Sequence, residues 1–133
     1  MNTKLLVCTT LLNSMFLLSG VDKVLHFNKV VNGLQNRVSR LPFALAVLMI
    51  FGAVVIELGA PLMVIKASLT SDKSWDVWGA RGSLALIVFT VLATLIYHFP
   101  PTNSAKYYPF MSNMSAVGGL SLMYLVFANG RNV

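Results

Sequence analysis

The amino-acid sequence predicts an all-α fold: a bundle of four transmembrane helices, with a short amphipathic interfacial helix between the first two. Three observations carry that prediction. Apolar residues make up 56% of the 133 residues and charged residues only 11%, less than half of the roughly 25% usual in a soluble domain. The apolar residues gather into four runs, each near the ~20 residues an α-helix needs to cross ~30 Å of hydrocarbon. Basic and aromatic residues collect mainly between the runs, where head groups and water would meet them.

The runs are Leu5–Val21, Leu41–Ile65, Trp75–Phe99 (continuously apolar from Gly82) and Phe110–Ala128. Lipid offers backbone N–H and C=O groups no partner, so each run must satisfy its own by forming a helix. Pro42 is placed for a first helical turn, Pro100 and Pro101 stop the third run, and Pro109 starts the fourth. Trp75, Trp78, Tyr97, Tyr107 and Tyr108 stand near run ends, where amphipathic rings prefer the interface. Lys4 followed by Leu5–Ser19 also has the outline of a secretory signal; it is read here as a retained first helix. Residues 1–133 are read as one integral membrane domain.

Between the first two runs, Asp22–Arg40 is patterned like a helix. Val21, Val24, Leu25, Val30, Val31 and Leu34 recur at roughly helical spacing, with Lys23, Lys29 and Arg37 between and after them. Such a segment lies along a membrane surface with its apolar side inward. Gly20 and Asp22 are expected to separate it from the first helix.

The formal net charge of +6, from ten Lys and Arg against four acids, points to head groups; its placement argues against nucleic acid as a partner. Four crossings put both termini on one side, with Lys4, Lys66, Lys73, Arg81 and Arg131. Lys23, Lys29, Arg37, Arg40 and Lys106 fall on the other, so five basic residues oppose five and orientation stays undecided. The single cysteine, Cys8, has no intrachain partner, and without a Cys-x-x-Cys dithiol chemistry is not expected.

Glu57 is the most informative residue. It lies eight residues before Ile65, about 12 Å inside that end of a helix, and a lone carboxylate there is costly unless protonated or paired. Arg81, about 9 Å into a third helix that starts at Trp75, enters from the nearer face and is the expected partner. The pair is either a functional site or a structural ion pair holding two helices. Lys23 and His98 are placed at the opposite face. Pro61 cannot bond the Glu57 carbonyl four residues earlier, so a kink is expected there, eased by Gly59, with Arg81 donating to the freed carbonyl.

Other polar residues point to packing. His26 and His98 have no second ligand at i+3 or i+4, so no metal site is expected. Asn13 and Asn113 are expected to hydrogen-bond across helices. Ser112, Ser115, Ala116, Gly118 and Gly119 form a small-residue stretch suited to close helix approach. No catalytic constellation and no phosphate loop is legible.

Several stretches resemble the DoxX family of small four-helix membrane proteins. The first helix closes with Ser19-Gly20-Val21-Asp22-Lys23, similar to that family's Ser-Gly-x-x-Lys. The second contains Glu57-Leu58-Gly59-Ala60-Pro61, the third opens with Ala80-Arg81-Gly82-Ser83-Leu84-Ala85, and the fourth holds Gly118-Gly119 before Asn129-Gly130-Arg131, a shorter end than the family's tail. The resemblance spans nearly the whole chain. It implies the four-helix fold and carries over Lys23, Glu57 and Arg81 as matching positions. The family is named for a subunit of a thiosulfate:quinone oxidoreductase, and most members have no assigned reaction.

The expected function is therefore a non-catalytic membrane subunit of a larger assembly, such as a virus particle with an internal membrane or an organellar complex. The lipid bilayer and other protein subunits are its expected partners, and no cofactor is expected. Two alternatives remain: an accessory subunit of a redox enzyme, with quinone as the implied cofactor, and a small transporter or membrane adaptor. A cavity at Glu57 would favour the alternatives, and a filled interior the structural subunit.

Overall fold

The structure, a computed structural model, describes residues 3–70 and 72–130. Among these there are five helices and no strand: α1 (Thr3–Leu25), α2 (Phe27–Arg37), α3 (Phe43–Leu69), α4 (Lys73–Tyr97) and α5 (Ser104–Ala128). All but α2 are long and apolar enough to cross a membrane. Only 22–33% of the most apolar window of each is buried inside the protein, so their outward faces are apolar too. Such faces are stable against lipid and not against water. The chain is a multi-pass integral membrane protein.

The boundaries differ from the expected ones in physically simple ways. α1 continues through Gly20 and Asp22 and ends only at Leu25, because a single glycine or aspartate is tolerated in a helix whose neighbours are good formers. Pro42 is the residue before α3, not inside its first turn. α5 begins five residues ahead of Pro109, capped by the Asn103 side chain, which accepts from the Lys106 N–H at 3.1 Å. α3 runs unbroken through Pro61.

α3 packs between α1 and α4, and α4 between α3 and α5. α1 and α3 are antiparallel, and two contacts give their register. Ser68 Oγ donates to Thr9 Oγ1 at 3.0 Å, and a Cβ on Gly20 would stand 2.8 Å from the Leu58 side chain and 3.2 Å from Glu57 Cβ. The glycine lets α1 come this close to α3 without displacing the Leu58 side chain. At this register α1 ends about 7 Å beyond Gly20, whereas α3 continues for about 21 Å from Glu57 back to Phe43. The first helix is therefore shorter than the space beside it.

α2 occupies that space. Val31 and Leu34 are buried against Ala46 and Ile50 of α3, with Ile96 and Tyr97 of α4 alongside. The expected short amphipathic helix is present, with its apolar face on the bundle. Its link to α3 turns at Arg40, whose φ of 74° lies in the left-handed region.

The other end of the bundle holds the start of α1, the α3–α4 turn and the end of α5; we call it the terminal end. Val64, Ala67, Met123 and Phe127 fill it, with Leu5, Leu12, Trp75 and Ala80 around them. α1 meets α5 here, through the Thr9 hydroxyl donating to Met123 Sδ at 3.3 Å and Leu12 resting on Gly119.

Candidate functional site

Glu57 sits at the middle of α3 and is almost wholly buried. Its partner is Lys23, on the last turns of α1. Lys23 Nζ donates to Glu57 Oε1 at 2.9 Å and stands 2.8 Å from Oε2 in ionic contact. Oε2 is shut away from solvent, with the ammonium against it. Ser19, one turn before Lys23, completes the group: it accepts from Nζ at 2.6 Å and donates to Oε1 at 3.0 Å. The Lys23 side chain is 21% exposed and that of Glu57 4%, so the ammonium is the open side of the pair.

The pairing of Glu57 with Arg81 is overturned. Arg81 is exposed, with its guanidinium 5.2 Å from the centre of the Trp78 ring, a cation–π contact. Two causes act together. The buried stripe of α4 is Asp76, Gly79, Gly82, Ser83, Leu86, Thr90 and Thr94, and Arg81 falls outside it. Helical side chains also lean toward the N-terminus of their helix, which carries the Arg81 side chain toward Trp78 and away from the level of Glu57.

The same lean explains Lys23. Its Cα lies beyond Gly20 toward the α2 end, but its side chain folds back along α1 toward Ser19 and reaches Glu57. α1 ends only about 7 Å beyond Gly20, so Lys23 stands close to the level of Glu57 and not at the far end of α3. No donation from Arg81 to the Glu57 carbonyl is found; instead Gly82 lies beneath this stretch, where a Cβ would stand 2.9 Å from the Ala60 carbonyl oxygen.

A cavity of about 730 Å³ opens from the ion pair toward the α2 end. Ser19, Lys23 and Glu57 line one part of it; Met15, Ile50 and Phe89 are among its mainly apolar walls, and His98 and Tyr97 stand farther along α4. Its origin is the mismatch already described: α1 stops short, and α2 packs on α3 and the end of α4 without filling the gap. The volume falls within the roughly 300–1,000 Å³ of small-molecule sites.

His98 follows the last residue of α4. Partial burial holds its imidazole below the usual histidine range, and the positive charges of Arg37 and Lys106 push the same way. His26 is exposed and lies 3.0 Å from Asp22 Oδ1. No group of three potential metal ligands occurs among the described residues. Asn113 bridges helices, its Nδ2 donating to Thr94 Oγ1 at 2.9 Å. Asn13 instead bonds its own helix at the Thr9 carbonyl, 2.8 Å away. Arg131, named in the resemblance, lies outside the described residues.

Sequence reasoning named Lys23 as a family-matching position but not as the partner of Glu57, and it passed over Ser19 as a site residue. The i,i+4 spacing of Ser19 and Lys23 was the available signal, since it puts hydroxyl and ammonium on one face of one helix. In comparisons with known proteins, the chain matches no family model, no curated protein and no solved structure.

Proposed function

We propose that this chain is a DoxX-like, lipophile-binding integral membrane subunit of a larger assembly: the cavity beside Lys23 and Glu57 moves the reading away from a purely structural subunit and toward one that holds a lipophilic molecule. The observation that carries the proposal is that cavity: about 730 Å³ of mainly apolar space, half open at the side of a membrane bundle, with a buried ion pair in its wall. A bundle serving only as a structural plug gains by filling such a volume, because close packing supplies much of its cohesion in lipid. Apolar walls with a few placed polar groups are the usual make-up of a ligand site.

The resemblance gains some physical sense from the geometry. Ser19, Gly20, Lys23 and Glu57 come from two separate stretches that carried it, and they meet at one point. Gly20 allows the approach, and the other three make the polar cluster. A virus particle with an internal membrane and an organellar complex both remain suitable settings.

The redox-accessory alternative uses the same cavity, with a quinone ring against Lys23. A transporter would need a path continuing past Glu57, and the filled terminal end, with Val64, Ala67, Met123 and Phe127, does not favour one.

Native mass spectrometry of the protein released in mild detergent tests the reading. The expected result is a lipophilic adduct in addition to partner subunits, lost when the cavity is filled by Ala53→Phe with Ala93→Phe. An adduct absorbing as a quinone, with a reversible potential, would move the conclusion to the redox alternative. An adduct-free protein, indistinguishable from the filled variant, would overturn the binding reading.

A further inference from the structure

We propose that the half-open groove between α4 and α5 at the terminal end seats an anionic phospholipid, its phosphate held by Lys73 and Arg81. This site is separate from the cavity beside Glu57 and does not depend on the binding reading above.

Arg81 is a cation on the outside of a membrane helix. It follows Lys73, the first residue of α4, by eight positions, about 12 Å along the axis, and it is exposed. Neither Lys73 nor Arg81 forms an ion pair with a carboxylate of the described residues. The contact that Arg81 makes, with the Trp78 ring at 5.2 Å, uses no hydrogen bond. A guanidinium has five N–H donors in one plane, and none is given to a described residue. Beside hydrocarbon an unpaired charge is costly, so such a side chain reaches for the head groups and gains from an anion there.

The groove gives that anion a place. It encloses about 470 Å³, with Lys73, Val77, Arg81 and Leu84 of α4 facing Tyr124 and Ala128 of α5. The four α4 residues are spaced by four, four and three, which makes them one stripe of the helix. Its polarity changes along its length. Leu84 lies roughly 16 Å along α4 from Lys73, toward the middle of the bilayer. The Arg81 side chain leans back toward the start of the helix, so both cations gather at the outer end. A phospholipid matches this order, with phosphate outward and acyl chain inward. Phosphate also suits guanidinium, because it accepts two parallel N–H bonds.

Charge then selects among phospholipids. The one acid in the lining, Asp76, is buried, whereas Lys73 and Arg81 are exposed. The surface offered to a head group is therefore cationic. A zwitterionic lipid brings its own ammonium against these two cations, and an anionic lipid does not. Basic pockets between membrane helices favour anionic head groups for this reason.

The test follows tryptophan fluorescence of the protein in phosphatidylcholine vesicles, since Trp75 and Trp78 both lie at this end of α4. Brominated phosphatidylglycerol or brominated phosphatidylcholine is the added quencher. Phosphatidylglycerol should quench with about ten-fold higher apparent affinity, as each cation near a membrane surface contributes on the order of five-fold. Lys73→Gln keeps the Arg81–Trp78 contact and should lose part of that preference. Lys73→Gln with Arg81→Gln should lose nearly all of it, and unchanged quenching by phosphatidylcholine shows that the protein is still inserted. Arg37→Gln with Lys106→Gln, at the other end, should leave the preference intact, as should the cavity-filling Ala53→Phe with Ala93→Phe. Equal quenching by the two lipids in the unaltered protein would overturn the proposal. So would a preference that survives the Lys73, Arg81 double variant, or one lost in either control pair. Should the double variant fail to insert, an undiminished preference in Lys73→Gln alone decides against the site. Protection by glycerol 3-phosphate at equal concentration would make a soluble phosphate the occupant and overturn the lipid assignment.

Discussion

The two ends of this bundle are built from the same four helices and differ in how completely they are filled. At the terminal end α1, α3, α4 and α5 all contribute, small residues bring the helices together, and Val64, Ala67, Met123 and Phe127 occupy the middle. Toward the α2 end α1 runs out, α2 packs against α3 and the end of α4, and a half-open cavity is left with the Lys23–Glu57 pair in its wall. In a membrane the interior and the surroundings are equally apolar, so helix association depends on close contact. The terminal end has that contact, and the α2 end trades part of it for space and a buried pair.

The sharpest test of this contrast is charge. Replacing Glu57 alone with Leu leaves the Lys23 ammonium without its carboxylate, and a loss of roughly 3–5 kcal/mol is expected. The double Lys23→Leu, Glu57→Leu variant should recover most of it, because apolar substitutes often match a buried ion pair. Thermal or SDS unfolding followed by circular dichroism reads both; a double variant no better than the single would mean that the pair does more than cancel charge.

Next is volume. Ala67→Phe in the filled end should cost about 1–3 kcal/mol through overpacking, since Ala67 is wholly buried beside Gly79. Ala53→Phe in the cavity wall should cost little. Equal losses on unfolding would remove the distinction between the ends.

A smaller effect separates two glycines. Gly82→Ala puts a Cβ 2.9 Å from a backbone oxygen of α3, which cannot turn aside as a side chain can, so destabilisation is expected. Gly118→Ala meets nothing within 4 Å and should be neutral or stabilising by up to about 1 kcal/mol. The same unfolding assay ranks them.

The smallest effect is pH dependence through His98. Its imidazole is held below the usual value of 6.5, so above that pH both the folded and unfolded forms are neutral there and nothing is lost. As pH falls through 6.5, the unfolded form takes the proton first. Stability should therefore decline between 6.5 and the lower folded value, then level off. His98→Gln should flatten that slope in unfolding curves between pH 7 and 5.

Much of the architecture was legible in one dimension. Four apolar runs of membrane-crossing length, an amphipathic helix within Asp22–Arg40 and the lone mid-helix carboxylate at Glu57 follow from composition and spacing, since lipid compels helix and isolates charge. The partner of Glu57 did not follow. Depth counted from run ends placed Lys23 at the far face, because counting along each run does not give the offset between the first helix and the second.

What the sequence by itself determined was the number of spans, their helical character and the need of Glu57 for a partner. The tertiary structure decided which cation answers it. Gly20 draws α1 onto α3 at Glu57, so Lys23 comes within reach of that carboxylate, and the N-terminal lean of helical side chains turns Lys23 inward and Arg81 out to Trp78. Register between helices is a property of surfaces in contact, and no run length or local spacing along one chain specifies it.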